Sequence, residues 1–181
     1  MELFDVLQED GTPSGLTKTR EKVHQDGDLH GSVRIWLIRD DLVLLQKRVL
    51  NKDSFPGCYD VASSGHIDAG EDAMTAAIRE VQEEINLTIT EEGLIPLFTQ
   101  RLHVDIEQTK GRFISNEVNT VYLLREGFNI DTLCAQKSEI DCLKWIPMSD
   151  LLSALCEENS NYCIPLSECK RVFAYYSDYQ K

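Results

Sequence analysis

An apolar stripe with helical spacing between residues 74 and 85 is the clearest pattern along the chain. Its members recur at intervals of three and four, and they are Met74, Ala77, Ile78, Val81 and Ile85. Such a stripe predicts an amphipathic helix that packs one side against a core. Asn86 follows, and asparagine takes the left-handed conformation that ends a helix, a role that glycine fills more often. We therefore predict a helix that ends at residue 85.

Alternating and continuous apolar runs on either side of this helix predict strands. Residues 3–17 have the pattern of a hairpin, with a polar turn that contains two glycines and a proline. A short strand is predicted from Val61 towards Gly65, after a loop at residues 49–59, and residues 109–112 are expected to form a mobile loop. Five further runs predict strands at residues 31–38, 42–48, 94–106, 117–125 and 142–147.

The C-terminal part of the chain, about residues 149–179, is predicted to be helical. One helix covers residues 149–158 and begins with Ser149 and Asp150, and the other covers residues 166–179 after Pro165. Mixed strands with a few helices favour a three-layer α/β/α sandwich with a mixed β-sheet. The chain has 181 residues, of which 42% are apolar, and we find no linker. Residues 1–181 are therefore interpreted as a single domain.

The net charge of −13 argues against a general affinity for nucleic acids or anionic membranes. Apolar runs are shorter than a membrane span, and the first residues lack the features of a signal peptide. The six cysteines show no C-x-x-C pair and no zinc spacing, which indicates reduced thiols that serve in packing. We expect a cytoplasmic monomer or homodimer without nucleic-acid or membrane partners.

Three carboxylates give the predicted helix a chemistry of its own. Glu80, Glu83 and Glu84 share one side of the helix, with Glu84 nearest the packed face and Glu83 furthest from it. They lie in the last two turns, where the helix dipole and their mutual repulsion both disfavour negative charge. A bound cation explains this cluster, and a solvated acidic face is the alternative.

Residues 65–87 resemble the Nudix box, in which a glycine is followed at fixed spacings by a glutamate, an Arg-Glu pair and a Glu-Glu pair. The matching positions are Gly65, Glu71, Arg79, Glu80, Val81, Glu83, Glu84 and Leu87. Asn86 stands where the box has its second glycine. The resemblance implies a Nudix-type α/β/α sandwich with a loop–helix–loop metal motif. It also implies hydrolysis of a diphosphate that is linked to another moiety.

Segments outside the box are similar to the isopentenyl-diphosphate isomerases and their hydrolase-like relatives, over nearly the whole chain. The isomerases carry a catalytic cysteine where this chain has Ser64, and a hydroxyl cannot replace a thiol in acid–base chemistry near neutral pH. They also lack most of the box glutamates, and Ser115 replaces the first glutamate of their Glu-x-Glu segment. The resemblance therefore implies a hydrolase rather than an isomerase.

The resemblance also assigns roles to the box residues. Mg²⁺, for which Mn²⁺ can substitute, is expected on Glu80, Glu83 and Glu84, with positions left for water and phosphate oxygens. Glu80 is also counted among the catalytic residues. Arg79 is expected to act as a structural brace for the box glutamates, and Glu71 is assigned a similar structural role.

Residues outside the box are candidates for the remaining chemistry. The general base is left open among Glu83, Glu117 and Glu139, each of which is a carboxylate that can accept a proton from water. Arg48 and Lys52 resemble the isomerase residues that hold a diphosphate, and we treat them as candidate substrate contacts. Solvent-facing charge is the alternative for both.

Three histidines and Glu117 resemble the histidine–carboxylate metal site of the isomerases. The histidines are His24, His30 and His66, although the spacing near His24 differs by one residue. Imidazoles and a carboxylate suit a transition metal if they converge, which would make a second metal site. The alternative is that the histidines are structural residues or substrate contacts.

The expected substrate is a nucleoside diphosphate derivative or a related small-molecule diphosphate. Specificity is expected from the loops at residues 49–59 and 107–115 and from the C-terminal helices. The other functions considered are an isopentenyl-diphosphate isomerase and a catalytically silent nucleotide-binding domain. Several aromatic residues are candidates to stack on a base, although core packing explains most of them better: Trp36, Phe55, Tyr59, Phe113 and Tyr162.

Overall fold

A computed structural model describes residues 2–52, 54–108, 111–125, 129 and 132–179 of the chain. A 3-10 turn at Glu91–Gly93 precedes the longest hairpin. In chain order, the strands and helices are β1 (Leu3–Leu7), β2 (Pro13–Thr19), α1 (Arg20–Asp26), β3 (Leu29–Arg39), β4 (Leu42–Arg48), β5 (Tyr59–Val61), β6 (Ser63–His66), α2 (Ala73–Ile85), β7 (Leu94–Gln108), β8 (Gly111–Leu124), β9 (Ile140–Pro147), α3 (Met148–Cys156) and α4 (Leu166–Tyr179).

Seven of these strands form one central sheet. The pairing order is β5-β4-β3-β8-β7, with β6 beside β3 and β9 beside β4. β3 and β8 run parallel, whereas the other pairs in the sheet run antiparallel. β1 and β2 form a separate antiparallel hairpin. The sheet is therefore mixed, which confirms the predicted fold class.

The two faces of the sheet are covered by different helices, because alternate residues of a strand point to opposite faces. Trp36 and Ile38 of β3 pack with α3 and α4. Ile35 and Leu37 of the same strand pack with α2 on the other face. The arrangement is the three-layer sandwich that the sequence predicts.

Both ends of α2 are fixed by side-chain and backbone caps. Asp72 accepts hydrogen bonds from the backbone N–H groups of the first turn. Asn86 closes the helix with a φ of 56°, as predicted. Glu84 is buried, whereas 52% of the Glu83 side chain is exposed. These exposures confirm the order that the helical wheel assigns to the two glutamates.

The prediction of a loop at residues 107–115 is wrong for most of that segment. Residues 107 and 108 belong to β7 and residues 111–115 to β8, so the hairpin continues past the point where β3 begins. Half-buried Leu102 and Val104 alternate with exposed neighbours, and this alternation sustains the strand. Residues 109 and 110, which belong to the predicted mobile loop, lie outside the described residues.

The sequence interpretation also gives no element where the structure has α1. This helix has seven residues, too few for a periodic stripe to identify it. The side chain of Thr19 caps its start, and Gly27 ends it with a φ of 71°. α3 begins one residue before the predicted helix and ends two residues earlier. Within the described ranges, no helix is long and apolar enough to cross a membrane.

Candidate active site

The C-terminal half of α2 approaches the sheet at Gly65, where β6 passes under the side chain of Glu80. A Cβ atom on Gly65 would lie 2.1 Å from Cδ of Glu80, far inside any real contact. Only glycine therefore leaves room for this carboxylate at the edge of β6. Glu80 and Glu83 both line a cavity of about 450 Å³ beside this strand.

Glu84 lies behind β6 and is buried. It accepts hydrogen bonds from the backbone N–H of Ser64 (2.8 Å) and from the side chain of Gln46 (3.3 Å). Burial, and secondarily the negative charge of Glu80, raise the pKa of Glu84 to about 8. Burial also raises the pKa of Glu80. The raised pKa values of Glu80 and Glu84 mean that negative charge on both carboxylates is disfavoured here, and a bound cation would stabilise it.

Arg79 connects the first carboxylate of the box, Glu71, with Glu80. Its Nε and Nη2 atoms donate to the two oxygens of Glu71 at 3.1 and 2.8 Å, in a bidentate pair. Its Nη1 atom donates to Glu80 at 2.7 Å, and Nη2 also donates to the carbonyl of His66 at 3.0 Å. These contacts fix the rotamer of Glu80 and the path of the backbone before α2.

The cavity brings Glu80 and Glu83 of the box together with cations from other elements, whereas buried Glu84 is not among the described residues that line it. Arg48 at the end of β4 and Lys52 after it both line the cavity, as does Glu139. Lys52 donates a hydrogen bond to Glu139. The candidate phosphate contacts therefore face the same space as Glu80 and Glu83.

Three histidines and a carboxylate converge beside the cavity, which His66 and Glu117 line, although the four residues come from four different elements. One ring nitrogen from each of His24, His30 and His66 lies within 4.8 Å of the others. Oε1 of Glu117 lies 3.7 Å from Nε2 of His66 and 4.0 Å from Nε2 of His30. The structure thus groups the residues that the isomerase resemblance singled out.

Two of the histidines are held in a form that leaves a ring nitrogen available. Nδ1 of His24 lies 3.0 Å from the carbonyl oxygen of Ile114, and Nδ1 of His30 lies 2.9 Å from the carbonyl oxygen of Asp28. A carbonyl only accepts, so both Nδ1 atoms carry the proton and both Nε2 atoms keep a lone pair. Those Nε2 atoms are buried without a hydrogen-bond partner among the described residues. Burial lowers the pKa of His24 to about 4 and also lowers that of His30, so both rings are neutral at pH 7.

A buried ion-pair network forms another part of the cavity wall, and the sequence interpretation did not single it out. Nη2 of Arg34 donates to Asp60 at 2.8 Å, and its Nε donates to Glu168 at 2.9 Å. The indole N–H of Trp36 donates to the same oxygen of Glu168 at 2.9 Å. The available signal was a charged residue inside an otherwise apolar strand at residues 33–38.

The structure divides the aromatic candidates for base stacking into two groups. Phe55 and Phe113 line the cavity. Trp36, Tyr59 and Tyr162 belong to the core cluster on the face covered by α3 and α4. Core packing therefore accounts for these three residues.

Comparison with protein families adds evidence that is independent of this geometry. The NUDIX domain family model matches residues 28–165. The chain is 34% identical over 165 residues to Nudix hydrolase 3 of Arabidopsis thaliana. The match covers 89% of this chain and 21% of that protein. It thus spans about a fifth of that relative's length.

A second relative and a solved structure extend the comparison. The chain is 30% identical over 132 residues to an isopentenyl-diphosphate Δ-isomerase of Ruegeria pomeroyi, which covers 73% of this chain and 70% of that protein. A crystal structure of a Deinococcus radiodurans protein superposes with a TM-score of 0.65 at 19% identity, over 86% of this chain and 90% of that one. This structural likeness concerns the fold alone.

Proposed function

The chain belongs to the Nudix hydrolase family, and from that premise we propose that it hydrolyses a diphosphate linkage in a nucleoside diphosphate derivative or a related small molecule. The observation that carries the proposal is a single cavity. In it, Glu80 and Glu83 of α2 face the same space as Arg48 and Lys52. Carboxylates for a metal ion and cations for phosphates are the two components that such a reaction needs.

Nudix hydrolases generally use divalent metal ions, and Mg²⁺ (or Mn²⁺ in its place) is the proposed ion here. Glu80, Glu83 and Glu84 would hold it, because the pKa values of Glu80 and Glu84 are raised and a bound cation would favour their charged forms. When bound, such an ion offsets phosphate charge and activates water. Gly65 supports the site by leaving room for the Glu80 carboxylate.

The chain's own residues then divide the remaining work. Arg48 and Lys52 bind the diphosphate, and the ammonium of Lys52 has three donors, so it keeps its contact with Glu139 while it donates to a phosphate oxygen. Arg79, paired with Glu71, keeps Glu80 in place, since its guanidinium contacts both carboxylates. Neither Arg79 nor Glu71 needs to touch the substrate in this scheme.

Three carboxylates remain candidates for the general base, and the geometry ranks them. Burial acts to raise the pKa of Glu117, yet His66 and His30 hold that pKa well below its usual value. A carboxylate with a lowered pKa is a weak base, so Glu117 is the least suited. Glu139 is paired with Lys52. We therefore assign the base to Glu83, which is half exposed on the cavity wall.

The histidine cluster supports a second metal site in this scheme. His24, His30 and His66 would supply three nitrogen ligands and Glu117 an oxygen ligand, a set that suits a transition metal. The two orphaned Nε2 atoms carry this assignment, because a buried acceptor without a partner is costly unless a ligand satisfies it.

A substrate panel tests the hydrolase proposal. The chain is incubated with nucleoside diphosphate derivatives and with isopentenyl diphosphate, in the presence of Mg²⁺ or Mn²⁺ or with the metal removed. We expect metal-dependent release of phosphate or nucleoside monophosphate. Binding without turnover would instead indicate a silent nucleotide-binding domain.

The same panel addresses the isomerase alternative. Double-bond migration in isopentenyl diphosphate without release of phosphate would contradict the proposal. Ser64 lies where the isomerases carry their cysteine, and its hydroxyl has no suitable pKa for that proton transfer. We therefore expect no migration.

A further inference from the structure

The Arg34–Asp60–Glu168 network is built more rigidly than a surface charge cluster. Each of the three residues is more than nine-tenths buried, at 7%, 4% and 0% exposure in that order. Glu168 also accepts hydrogen bonds from Trp36 and Gln100, so both of its oxygens are occupied. The network therefore holds Arg34 in one position before any ligand arrives.

Arg34 retains hydrogen-bonding capacity towards the cavity. A guanidinium has five N–H donors, and the two ion-pair contacts of Arg34 use two of them. Both oxygens of Asp60 already accept hydrogen bonds, one from Arg34 and Val61 and the other from Arg48. Asp60 and Arg34 both line the cavity, whereas Glu168 anchors the network from α4. The remaining N–H groups of Arg34 are thus the donors that this wall offers to a ligand.

The charge balance of this wall does not suit a phosphate. Two carboxylates flank Arg34, and Arg48 lies 3.5 Å from the other oxygen of Asp60. The two carboxylates offset the charge of Arg34 itself, so this guanidinium has little attraction for an anion.

Arg34 lies on the same strand as one member of the histidine cluster. Arg34 and His30 are both on β3 and four residues apart, which corresponds to about 13 Å along a strand. Arg48, the proposed diphosphate contact, lies next to Asp60. The wall is therefore placed to contact the group that is attached to the diphosphate.

We propose that Arg34, held in place by Asp60 and Glu168, forms a specificity site for a neutral polar group that offers an acceptor, such as a sugar hydroxyl or a nitrogen or carbonyl of a heterocycle. A hydrocarbon chain in the same place would leave the remaining N–H groups of Arg34 without an acceptor. The inference rests on the proposed hydrolase function, because it concerns the non-phosphate part of the same substrate.

The experiment compares kcat and KM for ADP, ribose 5-diphosphate and isopentenyl diphosphate, with Mg²⁺ or Mn²⁺. We expect the wild-type chain to favour ADP by about tenfold or more in kcat/KM over isopentenyl diphosphate. Arg34→Lys keeps the charge but loses the planar fork, so it should reduce that ratio by about tenfold, mainly through KM. Arg112→Lys, an exposed arginine paired with Asp105, is the matched control.

The three substrates also identify the source of the polar group. A loss confined to ADP points to the heterocycle, and an equal loss on ribose 5-diphosphate points to the sugar. Asp60→Asn provides a second variant if Arg34→Lys fails to fold. A wild-type chain without preference for ADP, or equal losses on all three substrates, overturns the inference. Absence of release from every substrate would instead overturn the hydrolase proposal.

Discussion

Two clusters of polar side chains, the box cluster and the histidine cluster, are built in different ways. In the box cluster, Glu80, Glu83 and Arg79 lie within five residues on one helix. In the histidine cluster, the three histidines and Glu117 come from α1, β3, β6 and β8, and 93 positions separate the first from the last. A helix places residues by spacing alone, whereas the second cluster exists only because strands pair in a particular register.

The two clusters also differ in how their polar groups are held. The box carboxylates are braced by Arg79, which contacts Glu71 and Glu80. The ring nitrogens Nε2 of His24 and His30 are buried without a partner in the described part of the chain. The box cluster is thus held in place by contacts within the chain. The histidine cluster depends more on a ligand, which would give its buried Nε2 atoms a partner.

The largest effect is expected for substitutions in the box cluster. Glu80→Gln or Glu83→Gln should lower metal-dependent kcat by about 10²-fold or more, because each variant removes a carboxylate from the metal site and Glu83→Gln also removes the base. Steady-state kinetics with Mg²⁺ measure the loss, and thermal unfolding checks the fold. Glu92→Gln, on the exposed 3-10 turn, is the control. Full Mg²⁺-dependent activity in either variant would refute the metal assignment.

A smaller effect is expected for substitutions in the histidine cluster. His24→Gln should weaken binding of Zn²⁺ by about 10- to 100-fold, because it removes one of three nitrogen ligands. Titration calorimetry with Zn²⁺ measures the affinity directly. His103→Gln is the matched control, since His103 is exposed on β7 and this variant retains all the cysteines of the wild type. Equal Zn²⁺ affinity in both variants would favour the view that these histidines are structural.

The smallest effect concerns Glu84 in the metal-free chain. Its folded pKa is raised to about 8, so ionisation disfavours the folded state. This group's contribution to stability is complete below the unfolded pKa and is lost as pH rises towards 8. Glu84→Gln is neutral at every pH, so its thermal midpoint at pH 8 should exceed that of the wild type by at least about 3 °C. The difference should vanish near pH 4, and a constant difference across this range would count against the assignment.

The sequence predicted much of the fold because the core elements carry strong local patterns. α2 follows its apolar stripe, and Asn86 ends it as expected. β3 and β4 lie where apolar runs predict them. α1 and the first six residues of β8 were not predicted, because α1 is too short for periodicity and residues 111–116 contain only two apolar residues.

The candidate site was predictable to the extent that its residues are close in sequence. The box glutamates and Arg79 could be identified by spacing. Arg34, Asp60 and Glu168 could not, because a single charged residue in a strand or helix does not reveal whether it is buried with a partner. Positions 26 and 134 residues apart meet only after the sheet and α4 have packed together.

The sequence by itself therefore determined the family resemblance, the box helix and the residue types of a metal-dependent site. These depend on local spacing, and a helix or strand converts spacing into direction without further information. Tertiary structure alone decided that the histidines converge, that Glu84 is buried, and that an ion pair lines the cavity. Convergence depends on strand register and layer packing, which arise from contacts between distant segments and leave little trace in any one of them.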